Sequence, residues 1–290
     1  MQLSPSELIL NADQSVYHLN LLPEDIAQTI MVVGDPDRVA RVSQYFDTIE
    51  IKKGKREFVT HTGTLNGKRL TVISTGIGTD NIDIVLNELD ALVNIDFTTR
   101  EIKSKKTCLN IIRIGTSGAI QPEIPINSFL MSEYAIGFDN LLHFYKSEAI
   151  QHPEIQLAFI DHTDWSVFKS IPYVVKCNPS LAQLIGSDDV QSGFTATNVG
   201  FYGPQGRKLR LSAEDEDLKT KLSSFDYQGM RITNLEMETS GIYGLSELMG
   251  HKAISMNCIL ANRSTGEFSK EPKKAVDRLI QYTLEKVSSI

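Results

Sequence analysis

The chain is poor in the residues that most often announce chemistry. Its 290 residues include three cysteines, six histidines and one tryptophan. Cys108, Cys177 and Cys258 lie far apart with no Cys-x-x-Cys, and two of them sit in apolar, strand-like runs, which reads as buried, reduced thiols. The histidines show no metal-ligand spacing, which disfavours a metal-dependent hydrolase. Neither Gly-x-x-x-x-Gly-Lys-Ser/Thr nor Gly-x-Gly-x-x-Gly occurs, so the usual ATP and dinucleotide signatures are absent. Basic excess is missing too: 29 Lys and Arg against 36 Asp and Glu give a net charge of −7, which argues against nucleic acid as a partner. No apolar run approaches the roughly 18 residues of a membrane span. The start, Met1 to Pro5, lacks the basic and apolar segments of a secretory signal. These absences lead us to expect a cytoplasmic protein that binds neither membrane nor nucleic acid and needs no resident cofactor.

What is present is alternation. Ile30 to Val33 is a continuous apolar run that ends in Gly34-Asp35-Pro36-Asp37-Arg38, a buried strand meeting a helix that Asp35 can cap and Pro36 can begin. Arg38 falls in the first helical turn, where a cation is unfavourable unless an aspartate or a bound anion offsets it. Asn66-Gly67 between two strand-like runs is a hairpin signal. Arg56 and Glu57 begin that hairpin, and Thr75-Gly76-Ile77-Gly78 closes it. Ile82, Val85, Leu86, Leu89 and Leu92 recur at helical spacing. Asp96 to Lys106 is charged and reads as an exposed helical extension or loop. Ile112 to Ile120 reads as a strand carrying Arg113, which then breaks into a Thr116-Ser117 turn between two glycines. Residues 137–176 show no clean period. Helices are expected at Pro179–Ile185, 213–224, after Glu238 as far as Gly250, and from Ala275 to Val287. Strands are expected at Gly193–Val199 and Ala253–Ala261. With no linker or repeat, residues 1–290 read as one α/β domain, a mixed central sheet flanked by helices.

In such folds ligands lie beyond the carboxyl ends of strands. Gly34–Arg38, Arg113–Gly118, Phe201–Arg207 and Glu236–Glu238 all occupy that position. Arg38, Arg56 and Arg113, with Thr116 and the Gly34 backbone, suit a phosphate, because guanidinium forks match its oxygens. Gln205 and Arg207 suit the edge of a planar heterocycle with carbonyl and ring N–H groups. Glu236 and Glu238 suit sugar hydroxyls, or serve as the N-terminal charges of a helix.

These segments, in this order and spanning nearly the whole chain, resemble the nucleoside phosphorylase-I family, and within it the uridine-cleaving branch. The resemblance rests on Gly34-Asp35-Pro36-Asp37-Arg38-Val39, Arg56-Glu57-Phe58, Ser74-Thr75-Gly76-Ile77-Gly78, Arg113 to Ile120, Phe201-Tyr202 with Gln205 and Arg207, and Glu236-Met237-Glu238. It implies that the sheet is partly barrel-like. It also implies that Gly34, Arg38, Arg113 and Thr116 hold phosphate as a co-substrate, joined by Arg56 from a neighbouring subunit. Met237 and Glu238 would hold the ribose, with Thr116 between sugar and phosphate and His18 offered by another subunit. Phe201 would stack on the base, Gln205 and Arg207 would read it, and Glu236 would lie on the base side. Arg113, Thr116, Glu238, Gln205 and Arg207 would carry catalysis. Glu57 and Ile77 match a monovalent-cation (K+) site between subunits, whose third position is Asn81 here where the family often has serine. A homodimer, or a hexamer built as a trimer of dimers, follows from shared sites.

Purine-directed members carry an aspartate after the strand matching Cys258 to Ala261. Here Asn262-Arg263-Ser264 stands instead, and Arg263 is expected to support the loop of Gln205 and Arg207. Departures from the short bacterial members lie at 96–106, which reads as an insertion, at 139–176, and in the Gly203-Pro204 order. They bear on base preference more than on reaction type. The alternatives are a phosphorylase acting on both pyrimidine and purine nucleosides, a hydrolytic nucleosidase, and a non-catalytic nucleoside-binding homologue.

Overall fold

In the computed structural model, which describes residues 2–289, ten main strands build one mixed sheet covered by seven α-helices. The chain opens with an irregular segment and then enters β1 (Thr29–Val33), buried except at its first residue. Helix α1 (Pro36–Ser43) follows at once. Asp35 caps it by accepting the Asp37 N–H at 3.0 Å, and Pro36 occupies the first turn. Strands β2 (Thr48–Lys55), β3 (Phe58–Leu65) and β4 (Lys68–Ser74) form an antiparallel meander. The β3–β4 turn is Asn66-Gly67, both left-handed at φ 51° and 75°, as the hairpin signal requires.

Helix α2 (Thr79–Asn94) buries the Ile82, Val85, Leu86, Leu89 and Leu92 stripe against the sheet. The charged stretch after it is neither helix nor plain loop. Ile95–Asp96 pairs with Glu101–Ile102 in a small separate hairpin. Strand β5 (Asn110–Ala119) runs through the middle of the sheet, followed by β6 (Phe129–Gly137). The unpatterned stretch 137–176 resolves into two short 3-10 turns, α3 (Pro153–Thr163) and the edge strand β7 (Tyr173–Lys176). The rest is α4 (Pro179–Ile185), β8 (Val190–Thr197), α5 (Leu218–Ser224), β9 (Met230–Glu236), α6 (Thr239–Leu248), β10 (Lys252–Asn262) and α7 (Pro272–Val287). Of the polar segment 213–224 only the last seven residues are α-helical.

The strand order is β9-β8-β6-β10-β5-β1-β4-β3-β2. A further antiparallel pairing of Asn234 and Leu235 in β9 with Ala119 and Gly118 in β5 closes β5, β10, β6, β8 and β9 into a ring. The remaining strands stay open, so the sheet is ring-like in part and not a barrel. Parallel neighbours β1 and β10 flank β5, placing Val32 and Ser255 opposite Arg113. Strands β8 and β9 run the other way, and because β9 pairs with β5 through the last residues of both strands, the carboxyl ends of β8 and β9 meet those of β1 and β5 from the opposite direction.

The Thr116-Ser117 turn expected from the sequence does not exist. Strand β5 continues through both residues to Ala119, because β10 pairs alongside and β9 takes up the end. Gly115 serves side-chain space instead of a turn. A Cβ on Gly115 would fall 1.9 Å from Arg113 Nη1, and Arg263 packs across the face of Gly118. No described helix is long and apolar enough to cross a membrane.

Candidate active site

A cavity of about 780 Å³ opens at the gathered strand ends. It is lined by Gly34 and Arg38 from the β1–α1 junction, Arg113 and Thr116 from β5, and Glu236, Met237 and Glu238 from the β9–α6 junction. Phe201, Gln205 and Arg207 close it from the loop after β8, and Glu57, Ile77 and Asn81 form another edge. Of the residues that the resemblance places at phosphate, ribose, base or cation, His18 and Arg56 lie off it.

Arg113 is the buried centre. Its side chain folds back over Gly115, two residues along the same strand face. Nη2 donates to Glu238 Oε2 at 2.6 Å and lies 3.1 Å from Glu236 Oε2, while Nη1 donates to Asn257 Oδ1 at 3.0 Å and Ser255 Oγ at 3.3 Å. Burial works against the guanidinium charge, but Glu236 and Glu238 outweigh it and raise the pKa. Burial also raises the Glu238 carboxyl above its usual range, with Arg113 opposing and Glu236 adding to the rise. Arg113 is therefore not an idle cation awaiting an anion. It joins the Arg38 end of the cavity to the carboxylates at the β9–α6 junction.

The two glutamates differ. Glu236 accepts from Thr197 Oγ1 at 2.6 Å and from the Glu238 and Thr239 N–H groups at 2.9 Å. With Arg113 on the same carboxylate, both oxygens are committed to capping α6 and to the ion pair. That leaves Glu236 unsuited to the base-side contact expected of it, and fits the helix-charge role instead. Glu238 accepts from the Gly78 N–H at 3.0 Å and from Arg113, so its oxygens keep lone pairs for a hydroxyl.

Arg38 is the cation in need of a partner. It donates once, from Nη1 to the Ile114 carbonyl at 3.1 Å, and forms no ion pair with Asp35 or Asp37. Its Nε is buried without a hydrogen bond. Burial first, and the neighbouring Arg113 second, lower its pKa. An anion in the cavity beside Arg38 would relieve the repulsion between the guanidiniums. Beside it, the Thr116 hydroxyl makes no hydrogen bond to the described residues.

The loop after β8 is held from below and left open above. Gln205 and Gly206 occupy a short 3-10 turn, with Gly206 at φ 66°. Arg263 donates to the Gln205 carbonyl, and to that of Gly206 at 3.3 Å, which is the support expected of it. Burial, then Arg207, brings the Arg263 pKa down to about 10. Arg207 stacks 3.8 Å over the Phe201 ring and donates to the Phe201 carbonyl at 2.7 Å and to Gln205 Oε1. The Arg207 bond fixes the amide of Gln205, leaving one lone pair on Oε1 and both Nε2 protons available. Phe201 is 51% exposed at the mouth of the cavity.

On the last edge, Asn81 presents Nδ2 to the Ile77 carbonyl at 3.5 Å and packs against Gly76. The Ile77 carbonyl keeps a second lone pair and the Asn81 amide also carries an oxygen, so with the Glu57 carboxylate this edge offers oxygen donors of the type a monovalent cation takes.

Arg56 stands in the β2–β3 turn, exposed, with its backbone left-handed at φ 56°. His18 is bound to Glu88 away from the cavity. The two segments are joined, because Lys55 donates to the Tyr17 carbonyl and to Asn11 Oδ1 at 3.1 Å and lies 4.2 Å over the Tyr17 ring. Both residues face outward from their own chain.

The sequence reading missed Ser255 and Asn257, which brace Arg113, and the Gly78 N–H that holds Glu238. A signal for the first pair is present. Ser255 and Asn257 are polar residues two apart in the otherwise apolar strand Ala253–Ala261, so they share one face.

A half-buried arginine that makes no ion pair with the described residues stands beside an arginine–carboxylate pair, with an amide-bearing loop across the cavity, a set of groups chemically suited to an oxyanion, hydroxyls and a planar ring. The chain belongs to the phosphorylase superfamily, whose family model matches residues 28–288. It is 30% identical over 261 residues to a uridine phosphorylase of Thermococcus kodakarensis, covering 89% of this chain and 81% of that one. It is 29% identical over 257 residues to a uridine phosphorylase of Escherichia coli, covering 87% and 88% respectively. Its fold matches a Trypanosoma brucei nucleoside phosphorylase described as showing uridine phosphorylase activity, with a TM-score of 0.86, 29% identity and coverage of 98% and 100%.

Proposed function

We propose that the chain is a uridine phosphorylase, a pentosyltransferase that cleaves uridine with inorganic phosphate to uracil and ribose 1-phosphate. The observation that carries this reading is that one cavity is lined both by Arg38, which makes no ion pair with the described residues, and by the Gln205–Arg207 pair anchored by Arg263. Relatives bearing that activity support it. Phosphate would be a co-substrate seated by Arg38, the Gly34 backbone and Thr116, with Arg113 shared between phosphate and Glu238. Glu238 would accept the ribose hydroxyls, with Met237 beneath the sugar. Gln205 would donate Nε2–H to a uracil carbonyl and accept the ring N–H on Oε1, and Phe201 would stack on the base.

In the reaction the glycosidic bond breaks as positive charge builds on the sugar and negative charge on the departing uracil. Phosphate stabilises the cation and attacks the anomeric carbon from the opposite face, with inversion. Arg207 and Gln205 stabilise the leaving anion, so fixed electrostatics carry the step. We route no step through a monovalent cation. Arg56 and His18, which face away from their own cavity, would complete a neighbour's site in a homodimer or trimer of dimers. Such an enzyme would serve pyrimidine salvage in the cytoplasm.

Two measurements check this. In an assay with phosphate across uridine, deoxyuridine, thymidine, inosine and adenosine, uridine has the highest kcat/KM; preference for a purine nucleoside contradicts the base assignment. Gly115→Ala puts a methyl where Arg113 Nη1 lies, and a displacement on the order of 1 Å at such a site costs about 10²-fold in rate. Loss of kcat together with a lowered Tm is expected, because the displaced guanidinium is the partner of buried Glu236 and Glu238, and wild-type kcat would show that the Arg113 position is not critical.

A further inference from the structure

We infer that Glu88 is a positioning residue that holds the His18 imidazole in one orientation and one tautomer, so that Nε2 is presented bare to the ribose 5′-hydroxyl in a neighbouring subunit's site. The inference rests on the proposed uridine phosphorylase reading, in which His18 completes a partner's cavity.

Glu88 lies on α2, 70 residues from His18 in sequence. One carboxylate collects four contacts from the Tyr17-His18-Leu19 segment. It accepts the His18 N–H at 3.0 Å on each oxygen, the Leu19 N–H at 2.8 Å, and His18 Nδ1 at 2.7 Å. The backbone bonds fix where the segment sits. The ring bond fixes how the imidazole is turned, at right angles to the Tyr17 ring (84°, centroids 4.9 Å apart). An ionised carboxylate can only accept, so in the neutral ring the proton sits on Nδ1 and Nε2 carries a lone pair. Nε2 has no partner among the described residues, and the His18 side chain is 26% accessible against 16% for Glu88. The result is an oriented acceptor on the outside of the chain, suited to a hydroxyl that donates to it. Lys55, bridging this segment to the turn of Arg56, keeps the two outward groups on one surface.

The test compares uridine with 5′-deoxyuridine, which lacks the hydroxyl in question, for the oligomeric wild type, Glu88→Gln, His18→Ala and the double variant. An amide at position 88 offers one acceptor where two are used and sets an N–H₂ against the Leu19 N–H. Glu88→Gln is expected to lower kcat/KM for uridine by about 10-fold, in line with outer groups that orient a functional histidine, while 5′-deoxyuridine turnover changes by less than about twofold. In the His18→Ala background Glu88→Gln adds nothing further. The ¹⁵N shifts of His18 report the Nδ1–H tautomer in wild type and a mixture in Glu88→Gln. Equal losses on both nucleosides, or a full additional loss in the double variant, would reduce Glu88 to a structural residue and overturn the inference. If His18→Ala itself fails to distinguish the two nucleosides, the ribose assignment of His18 falls and the inference with it. If His18→Ala distinguishes them and Glu88→Gln does not, the inference about Glu88 alone falls.

Discussion

Arg113→Ala is expected to lower kcat/KM for phosphate-dependent uridine cleavage by at least the 10²–10³-fold order that follows loss of one charge-assisted donor at a reacting centre. The geometry makes the loss larger than a phosphate contact alone would. Arg113 touches Glu238, the residue assigned to the ribose, and stands in the same cavity as the unpaired Arg38. Removing it frees Glu238 from its only side-chain partner among the described residues and strips one cation from the proposed phosphate seat. It also leaves Glu236 and Glu238 buried beside each other, and breaking such a pair costs about 3–5 kcal/mol of stability. Arg113→Lys separates the two effects. The ammonium keeps a charge near the glutamates but cannot hold Asn257 and the carboxylates at once, so its Tm stays closer to wild type while its rate remains low. Near-normal turnover in either variant, with KM for phosphate unchanged, would remove Arg113 from the phosphate site.

The second large effect is expected at the opposite end of the cavity. Arg207→Ala should lower kcat for uridine by about 10²–10³-fold, because on the proposed reading the guanidinium stands where the departing uracil acquires negative charge. Arg207 also orients the Gln205 amide and stacks on Phe201, so KM for uridine rises as well. Phosphate KM stays within about twofold, since Arg38 and Thr116 are untouched. Gln205→Ala follows the same split with a smaller effect on kcat, as a neutral donor is worth less than a charged one. Equal losses in uridine and phosphate KM would show that this loop does not read the base. A pre-acidified leaving group supplies a further check within the same experiment, because 5-fluorouridine departs more readily and Arg207→Ala should damage its cleavage less than that of uridine.

The strand ends and their chemistry were readable in the sequence because each combines an apolar run with a cap, a glycine or a charge at a fixed offset. Asp35-Pro36 after Val33, Asn66-Gly67 between β3 and β4, and Gly250 after α6 behaved as local rules require. What was not readable came from partners distant in the chain. The glycines at 115 and 118 look like a turn when only β5 is in view. Once β10 and β9 pair with that strand, both are ordinary strand positions, and Gly115 is the space that the side chain of Arg113 occupies. Glu236 and Glu238 are two residues apart and chemically alike, yet one is spent on the first turn of α6 and the other faces the cavity. That difference depends on Thr197 and Gly78, which arrive from β8 and from the start of α2. Residues 137–176 lacked a period because their helix α3 is short, with Leu157 65% exposed, and because two 3-10 turns carry much of the path. Arg56 and His18 matched the resemblance, but their outward direction is a property of the hairpin tip and of Glu88.

The phosphate requirement of uracil release is the most direct test. Purified, phosphate-depleted protein is given uridine, and uracil and sugar products are followed as inorganic phosphate is added. Saturable dependence on phosphate, with ribose 1-phosphate formed mole for mole with uracil, is the predicted result. Uracil release at an undiminished rate without phosphate, yielding free ribose, would contradict a phosphorolytic site and assign the cavity to hydrolysis.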